Sequence, residues 1–193
     1  MALIVHKYGG TSMGSTERIQ NVAKRVAKWA KAGHQMVVVP SAMSGETNRL
    51  LGLAKELAGN AHSDAHLREL DALAATGEQA SSALLALALQ AEGMPAVSYA
   101  GWQVPVRTNS AFTKARIESI DDVRVRQDLA QGKVVIITGF QGVDPEGHIT
   151  TLGRGGSDTS AVAVSPALRA ARTAVFTNGC MMMVGPCRWK SRR

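Results

Sequence analysis

Two short apolar runs bracket an amphipathic stretch at the start of this 193-residue chain, and that arrangement restricts the fold more than any other feature. Leu3-Ile4-Val5 opens it. After a glycine turn, Ile19, Val22, Ala23, Val26, Ala27 and Ala30 recur at the i, i+3, i+4, i+7 spacing of one helical face. Ser15 or Thr16 can cap that helix, Glu17 suits its first turn, and Gly33 stops it. The β-branched run Met36-Val37-Val38-Val39-Pro40 follows and reads as a buried strand. Strand, helix and strand in this order make a βαβ unit, whose crossover sets the two strands parallel.

The turn between the first strand and the helix carries Lys7-Tyr8-Gly9-Gly10-Thr11-Ser12-Met13-Gly14. A glycine turn running into a helix N-terminus aims backbone N–H groups at an anion and lets the backbone come close to it. Gly9 to Gly14 has the spacing of a P-loop, but Ser15-Thr16 stands where Lys-Ser/Thr belongs, and the nearest cation, Lys7, precedes the glycines. The residues fit a phosphate loop of another family, and they equally fit an ordinary strand-turn-helix.

The rest of the chain keeps alternating. Leu50–Leu57, Leu67–Leu73, Ala80–Ala91, Asp121–Gln131 and Thr159–Ala171 read as helices, with Ala75-Thr76-Gly77-Glu78-Gln79 as a break between the second and third. Ala96–Tyr99 and Val134–Thr138 read as strands, Gly139–Val143 as a glycine-rich loop, Asp144–Gly147 as a hairpin tip, and Thr150–Asp158 as a loop. The polar stretch 59–66 carries His62 and His66, to which no role is assigned. Alternating strands and helices predict an α/β fold, a layered domain with a mainly parallel sheet that binds ligands at strand C-terminal ends.

Composition excludes two classes of partner. The net charge is +7, yet all six basic residues from Arg169 onward stand without an acid among them, which leaves a balance of +1 for positions 1–168. A near-neutral body does not predict a nucleic-acid partner. The charges and glycines also keep any apolar run below the roughly 18 residues that span a bilayer, so no membrane partner is expected. Both cysteines, Cys180 and Cys187, fall after position 179, which makes a reducing cytoplasm the expected location.

Four loops hold chemistry, and each has a plain structural reading. Lys7 with Gly9-Gly10 fits a turn, Ser41–Asn48 a capped helix start, Glu78 a first-turn acid, and Arg154-Gly155-Gly156-Ser157-Asp158 a loop capping the next helix. Together they form a set for phosphoryl transfer to a small acid, which needs positioning and charge neutralisation more than covalent chemistry. Lys7 and the Gly9-Gly10 amides suit a moving phosphoryl group. Arg154 offers a fork for a carboxylate, and Glu78 an acceptor for an ammonium group. Ser41, Thr47 and Ser157 offer orientation, and Asp158 offers a partner for Lys7 or help in placing a metal.

Lys7-Tyr8-Gly9-Gly10-Thr11-Ser12, Val39–Leu50, Thr76-Gly77-Glu78-Gln79, Thr138–Gly142 and Thr151–Ala161 resemble, in order and spacing, the successive motifs of aspartokinases. The resemblance implies the amino acid kinase fold, a three-layer α/β/α sandwich with a mainly parallel central sheet. It implies ATP-dependent phosphorylation of the β-carboxylate of L-aspartate, with Mg²⁺ accompanying ATP, as the entry step to lysine (diaminopimelate), threonine and methionine. By the same resemblance Lys7 and Asp158 are catalytic. Lys7, Tyr8, Gly9, Gly10 and Thr177 serve the nucleotide, and Ser41, Thr47, Glu78, Arg154 and Ser157 hold aspartate. A homo-oligomer is compatible with it.

The resemblance runs over about positions 2–168. Aspartokinases continue with a strand ending in Tyr-Thr-Asp-Val-Asp-Gly-Val, then Asp-Pro-Arg, which bind the nucleotide. Here Ala174-Val175-Phe176-Thr177 fits the strand, and Asn178 to Trp189 does not match. The expectation is an amino acid kinase domain over 1–168, truncated at the C-terminus. A divergent basic tail over 169–193 would follow from a shifted reading frame, without the ACT regulatory domains. Little or no kinase activity is expected of such a chain. The alternatives are a non-catalytic remnant binding aspartate or a partner subunit, and a sister kinase acting on another carboxylate, carbamate or UMP.

Overall fold

β1 (Leu3–Tyr8), α1 (Thr16–Lys31) and β2 (Gln35–Pro40) form the expected unit, with β1 and β2 parallel and Lys7 opposite Val39. Ser15 caps α1, its hydroxyl accepting from the Arg18 N–H at 3.2 Å. The computed structural model describes residues 1–59, 63–177 and 180–184, with the backbone alone for Thr177 and 180–184. His62 and Cys187 therefore lie outside the described residues.

The remaining elements are α2 (Glu46–Ala58), α3 (Asp64–Ala91), β3 (Ala96–Tyr99), β4 (Val106–Thr108), β5 (Ile117–Ile120), α4 (Val123–Ala130), β6 (Val134–Ile137), β7 (Gln141–Val143), β8 (Ile149–Thr151), α5 (Gly156–Ala167), β9 (Arg172–Thr177) and β10 (Cys180–Val184). The main sheet runs β10-β9-β1-β2-β6-β3. Its pairs are parallel except β9–β10. β5-β4-β7-β8 form a second sheet.

Strand alternation builds the layers. Ile4, Tyr8, Met36, Val38, Val134, Ile136, Ala174 and Phe176 pack with α1 and α3 on one face. Val5, Val37, Val39, Val135 and Ile137 pack with α4 and α5 on the other. Both faces of β2 are covered, which is why its sequence is apolar without interruption. Val37, Val38 and Val39 are fully buried, and each contributes roughly 1.5–3 kcal/mol relative to an exposed side chain. The result is the three-layer α/β/α sandwich that the resemblance implies.

Three helices differ from the sequence reading. α2 begins at Glu46, not Leu50, and α5 begins at Gly156, not Thr159. Both start after a left-handed glycine, Gly45 (φ 82°) and Gly155 (φ 74°), so the polar residues that look like loop form the first helical turns. α3 is one 28-residue helix running through the expected break at Thr76-Gly77. A Cβ on Gly77 would stand 3.2 Å from the Ala42 Cβ. That glycine serves close approach of α3 to the loop after β2, not helix termination. By length and composition α3 is apolar enough to cross a membrane, but it packs on α1, β3 and β8 and its Leu85 and Leu89 are core residues.

The second sheet is the larger difference. Gln141–Val143 is a strand, not a loop, and it pairs antiparallel with Ile149–Thr151 around the expected hairpin tip. β4 and β5, in a stretch without clear periodicity, complete that sheet.

Candidate active site

Lys7 is placed by the sheet. Its backbone pairs with Val39 on one side and Val175 on the other, so it sits near the C-terminal end of a central strand, with the side chains of His6 and Tyr8 together on the opposite face. The residue is 4% exposed, and its Nζ lies 2.8 Å from Asp158 Oδ1. Asp158 comes from the first turn of α5, where its carboxylate is half exposed and favoured by the helix dipole. A buried ammonium needs such a partner.

The glycine turn lies beside it. The Gly9 N–H donates to the Phe176 carbonyl at 3.0 Å, and Ser12 and Met13 fold back on Gly9. A Cβ on Gly10 would come within 3.2 Å of the Ala42 carbonyl oxygen, so the turn presses against the loop after β2. Thr47 stands in the first turn of α2. The Ser41 N–H donates to the Tyr8 carbonyl at 2.9 Å, and the Ser81 hydroxyl donates to the Ser41 carbonyl at 2.7 Å. α3 thus fixes the loop on which Ser41 sits.

Glu78 lies inside α3, which removes its reading as a first-turn acid. It is 4% exposed, and its Oε2 has no partner among the described residues. Burial pushes its carboxyl up to about 7 against the opposing pull of the Ala42 and Glu78 backbone N–H groups. An unpartnered buried carboxylate oxygen marks a position awaiting a donor.

The last wall is the α5 start. Ser157 is buried and its Cβ would be 3.1 Å from a Cβ added at Gly139, while Arg154 is exposed. Phe140 takes a left-handed φ of 69°, and its N–H donates to the Ser160 hydroxyl at 3.0 Å. That strain, of order 1–3 kcal/mol, is held by two anchors, the second being its carbonyl, which accepts from the Leu152 N–H at 2.9 Å.

These walls enclose a cleft of about 900 Å³ at the C-terminal ends of β1 and β2. It brings together Lys7, Gly9, Gly10, Ser41, Thr47, Glu78, Arg154, Ser157 and Asp158 from four separate stretches. Tyr8 is not among them. Its ring is fully buried on the opposite face of the sheet, stacked on Phe176 at 4.7 Å and bonded through its hydroxyl to His6 Nδ1 at 3.1 Å. Its backbone carbonyl supports the site indirectly by accepting from the Ser41 N–H. Thr177 ends β9 beside β1, and its side chain lies outside what is described.

One cleft residue escapes sequence reasoning altogether. Asp71 on α3 is 1% exposed and accepts from the N–H groups of Thr113 and Thr151, both at 2.8 Å, and from the Thr151 hydroxyl at 2.6 Å. Its sequence signal is a single acid between Leu70 and Leu73, indistinguishable from a surface charge while that stretch looks like a short helix. Asp144, Glu146 and His148 also cluster, but Asp144 Oδ1 already accepts the Glu146 and His148 N–H groups within the hairpin, and none of the three lines the cleft.

A profile of the amino acid kinase family matches residues 2–179. The chain belongs to the amino acid kinase family. Among curated proteins it is 57% identical over 178 residues to an aspartate kinase of Pseudomonas fluorescens and 56% identical over 178 residues to an aspartokinase of Pseudomonas aeruginosa. These matches take in 92% of this chain and 43% and 42% of the relatives, so the chain spans about two fifths of their length. Among solved structures it superposes on aspartate kinase from Synechocystis at 46% identity and TM-score 0.77, covering 91% of this chain and 28% of that one. On E. coli aspartokinase III in complex with aspartate and ADP the figures are 26%, 0.79, 90% and 48%. Isopentenyl phosphate kinase, at 19% identity and TM-score 0.67, shares the fold. The match to this amino acid kinase chain extends through β9, past the Leu168 at which the motif resemblance fades.

Proposed function

We propose that this chain carries the aspartate pocket and the phosphoryl-transfer corner of an aspartokinase. The observation that carries the reading is one cleft lined both by buried Lys7, paired with half-exposed Asp158, and by buried Glu78, whose Oε2 has no partner among the described residues. A paired cation and a carboxyl oxygen open to a donor in the same cleft suit an amino acid whose carboxylate must meet a phosphoryl group while its ammonium is held by another group.

The chemistry follows from the groups present. Arg154 forks the α-carboxylate of L-aspartate, and Glu78 accepts from its ammonium, with Ser41, Thr47 and Ser157 completing the orientation. An oxygen of the β-carboxylate attacks the γ-phosphorus of ATP, the bond to the β,γ-bridging oxygen breaks, and ADP leaves. The nucleophile is already ionised, so no proton moves and no general base is required. Lys7 and the amides at Gly9-Gly10 neutralise charge on the transferring group, and Asp158 keeps Lys7 aimed. Mg²⁺ accompanying ATP would add charge neutralisation, held mainly through the phosphates and water. The half-exposed Asp158 carboxylate is the chain's own group best suited to assist it. We infer a reducing cytoplasm as the location.

Support comes from the relatives' identity and from the aspartate and ADP in the E. coli aspartokinase III complex. After Thr177 the sequence departs from the aspartokinase nucleotide motif, so turnover is expected to be weak while aspartate binding is retained. Calorimetry of the chain with L-aspartate and with ATP separately, followed by an aspartyl-hydroxamate assay, tests this. Saturable L-aspartate binding that D-aspartate and L-glutamate do not reproduce is the expected result. Absence of L-aspartate binding by a folded chain overturns the reading, and family-like turnover overturns the expectation of weak activity.

A further inference from the structure

We infer that Asp71 is a positioning residue, a buried clamp that holds the Arg154 end of the cleft in place from the body of α3. The inference rests on the proposed aspartate site for its functional consequence, but not for its structural one. Asp71 precedes Glu78 by seven residues, two turns of the same helix, so one helical face presents both carboxylates. Glu78 is left open toward the cleft. Asp71 is filled by three donors.

Those donors belong to two segments of the second sheet, the end of β8 and the β4–β5 connection, and Asp71 bonds both of them to α3. Thr151 ends β8, three residues before Arg154. Thr113 takes a left-handed φ of 65° in the connection between β4 and β5, an unfavourable conformation for a branched residue. The segments are tied to one another as well. The Ala115 N–H donates to the Thr151 carbonyl at 2.8 Å, and a Cβ on Gly153, itself at φ 75°, would stand 3.2 Å from the Thr113 carbonyl oxygen. Without Asp71, the buried N–H of Thr151 and the part-buried N–H of Thr113 lose their acceptor, and Thr113 loses the bond that offsets its strain. The loop carrying Arg154 then loses its hydrogen-bonded anchor on α3.

The clamp works through acceptor oxygens, so an amide can replace the carboxylate. In Asp71→Asn the side-chain oxygen still accepts both N–H groups and the amide NH₂ donates to the Thr151 hydroxyl. Amide hydrogen exchange and L-aspartate calorimetry on the full chain test this for Asp71→Ala, Asp71→Asn and Thr151→Val. In Asp71→Ala, amides over 110–116 and 150–156 are expected to exchange at least tenfold faster, with β1, β2 and β6 unchanged. L-aspartate binding falls about tenfold. Asp71→Asn restores both within about threefold. Unchanged exchange in the two segments, or acceleration spread equally over β1, β2 and β6, overturns the inference. If Asp71→Ala does not fold, Thr151→Val removes one donor alone and must show the same local pattern in weaker form. If wild type binds no aspartate, the functional proposal fails and the exchange pattern still decides the clamp.

Discussion

Lys7 is held by a strand position, and its role can be separated from stability. Its partner Asp158 is half exposed, so Lys7→Met leaves a carboxylate that water can reach and a thioether that fits the apolar surroundings of the strand. The folded state should lose no more than about 1–2 kcal/mol. Aspartate affinity should change less than threefold while hydroxamate formation drops below detection, measured side by side by calorimetry and assay. Equal loss of both would place Lys7 in the aspartate pocket. Glu78 gives the complementary case. Burial raises its carboxyl to about 7, so at pH 5.5 the free protein carries it protonated and without charge for an ammonium group. L-aspartate binding should therefore strengthen several-fold from pH 5.5 to 8, and Glu78→Gln should flatten that dependence. A pH-independent wild-type affinity would remove Glu78 from ammonium recognition.

At the scale of elements, β1, α1, β2 and β6 were legible because each buries a face with the period of its own geometry. What escaped did so for identifiable reasons. Thr47, Ser157 and Asp158 occupy first helical turns entered through Gly45 and Gly155, and a polar first turn after a glycine has the composition of a loop. Gly77 reads as a helix breaker when only chain-local propensity is weighed, since glycine costs about 1 kcal/mol there; the contact with Ala42 that favours it is tertiary. β7 was obscured by Gly142, whose missing Cβ leaves room for β4, with Thr108 Cγ2 and the Val106 carbonyl each 2.5 Å from where that Cβ would stand. Gly142→Ala must push β4 off β7 and should destabilise the fold by about 2–4 kcal/mol, read as a shift in urea midpoint. Gly147→Ala at the hairpin tip, where no atom lies within 4 Å and only the φ of 87° is adverse, should cost about 1 kcal/mol. The nine residues gathered at the cleft were legible as motifs. That Tyr8 turns away from them is set by strand alternation, and Asp71 needed the second sheet to be seen.

For the molecule as a whole, two buried titratable groups, His6 on β1 and Glu78 on α3, set its response to pH. His6 sits among Tyr8, Trp29 and Phe176, where burial, and then the charge of Arg25, lowers it from 6.5 to about 4. Its folded value is depressed, so the stability tied to its neutral form is present above pH 6.5 and is lost as pH falls toward 4. Glu78 is raised from 4.5 to about 7; stability tied to its protonated form is present below pH 4.5 and is lost as pH rises toward 7. Between about pH 4.5 and 6.5 the native state lacks a proton at His6 and keeps one at Glu78, the reverse of the unfolded chain, so the two slopes oppose. Each shift corresponds to roughly 3 kcal/mol, and they should nearly cancel. Asp128 and Asp144 do not disturb that window. Burial favours their protonated forms, but hydrogen bonds from Lys133 and Tyr99 to Asp128, and from His148 and Ser110 to Asp144, outweigh it and hold both below the usual carboxylate range. Wild type should therefore show a urea-unfolding free energy that changes by less than about 1 kcal/mol from pH 4.5 to 7. Glu78→Gln uncovers the histidine and should gain roughly 2–3 kcal/mol over that interval, while His6→Asn uncovers the glutamate and should lose a similar amount. The double variant should again be flat. Parallel profiles for all four proteins would show that neither group's pKa differs between the folded and the unfolded chain.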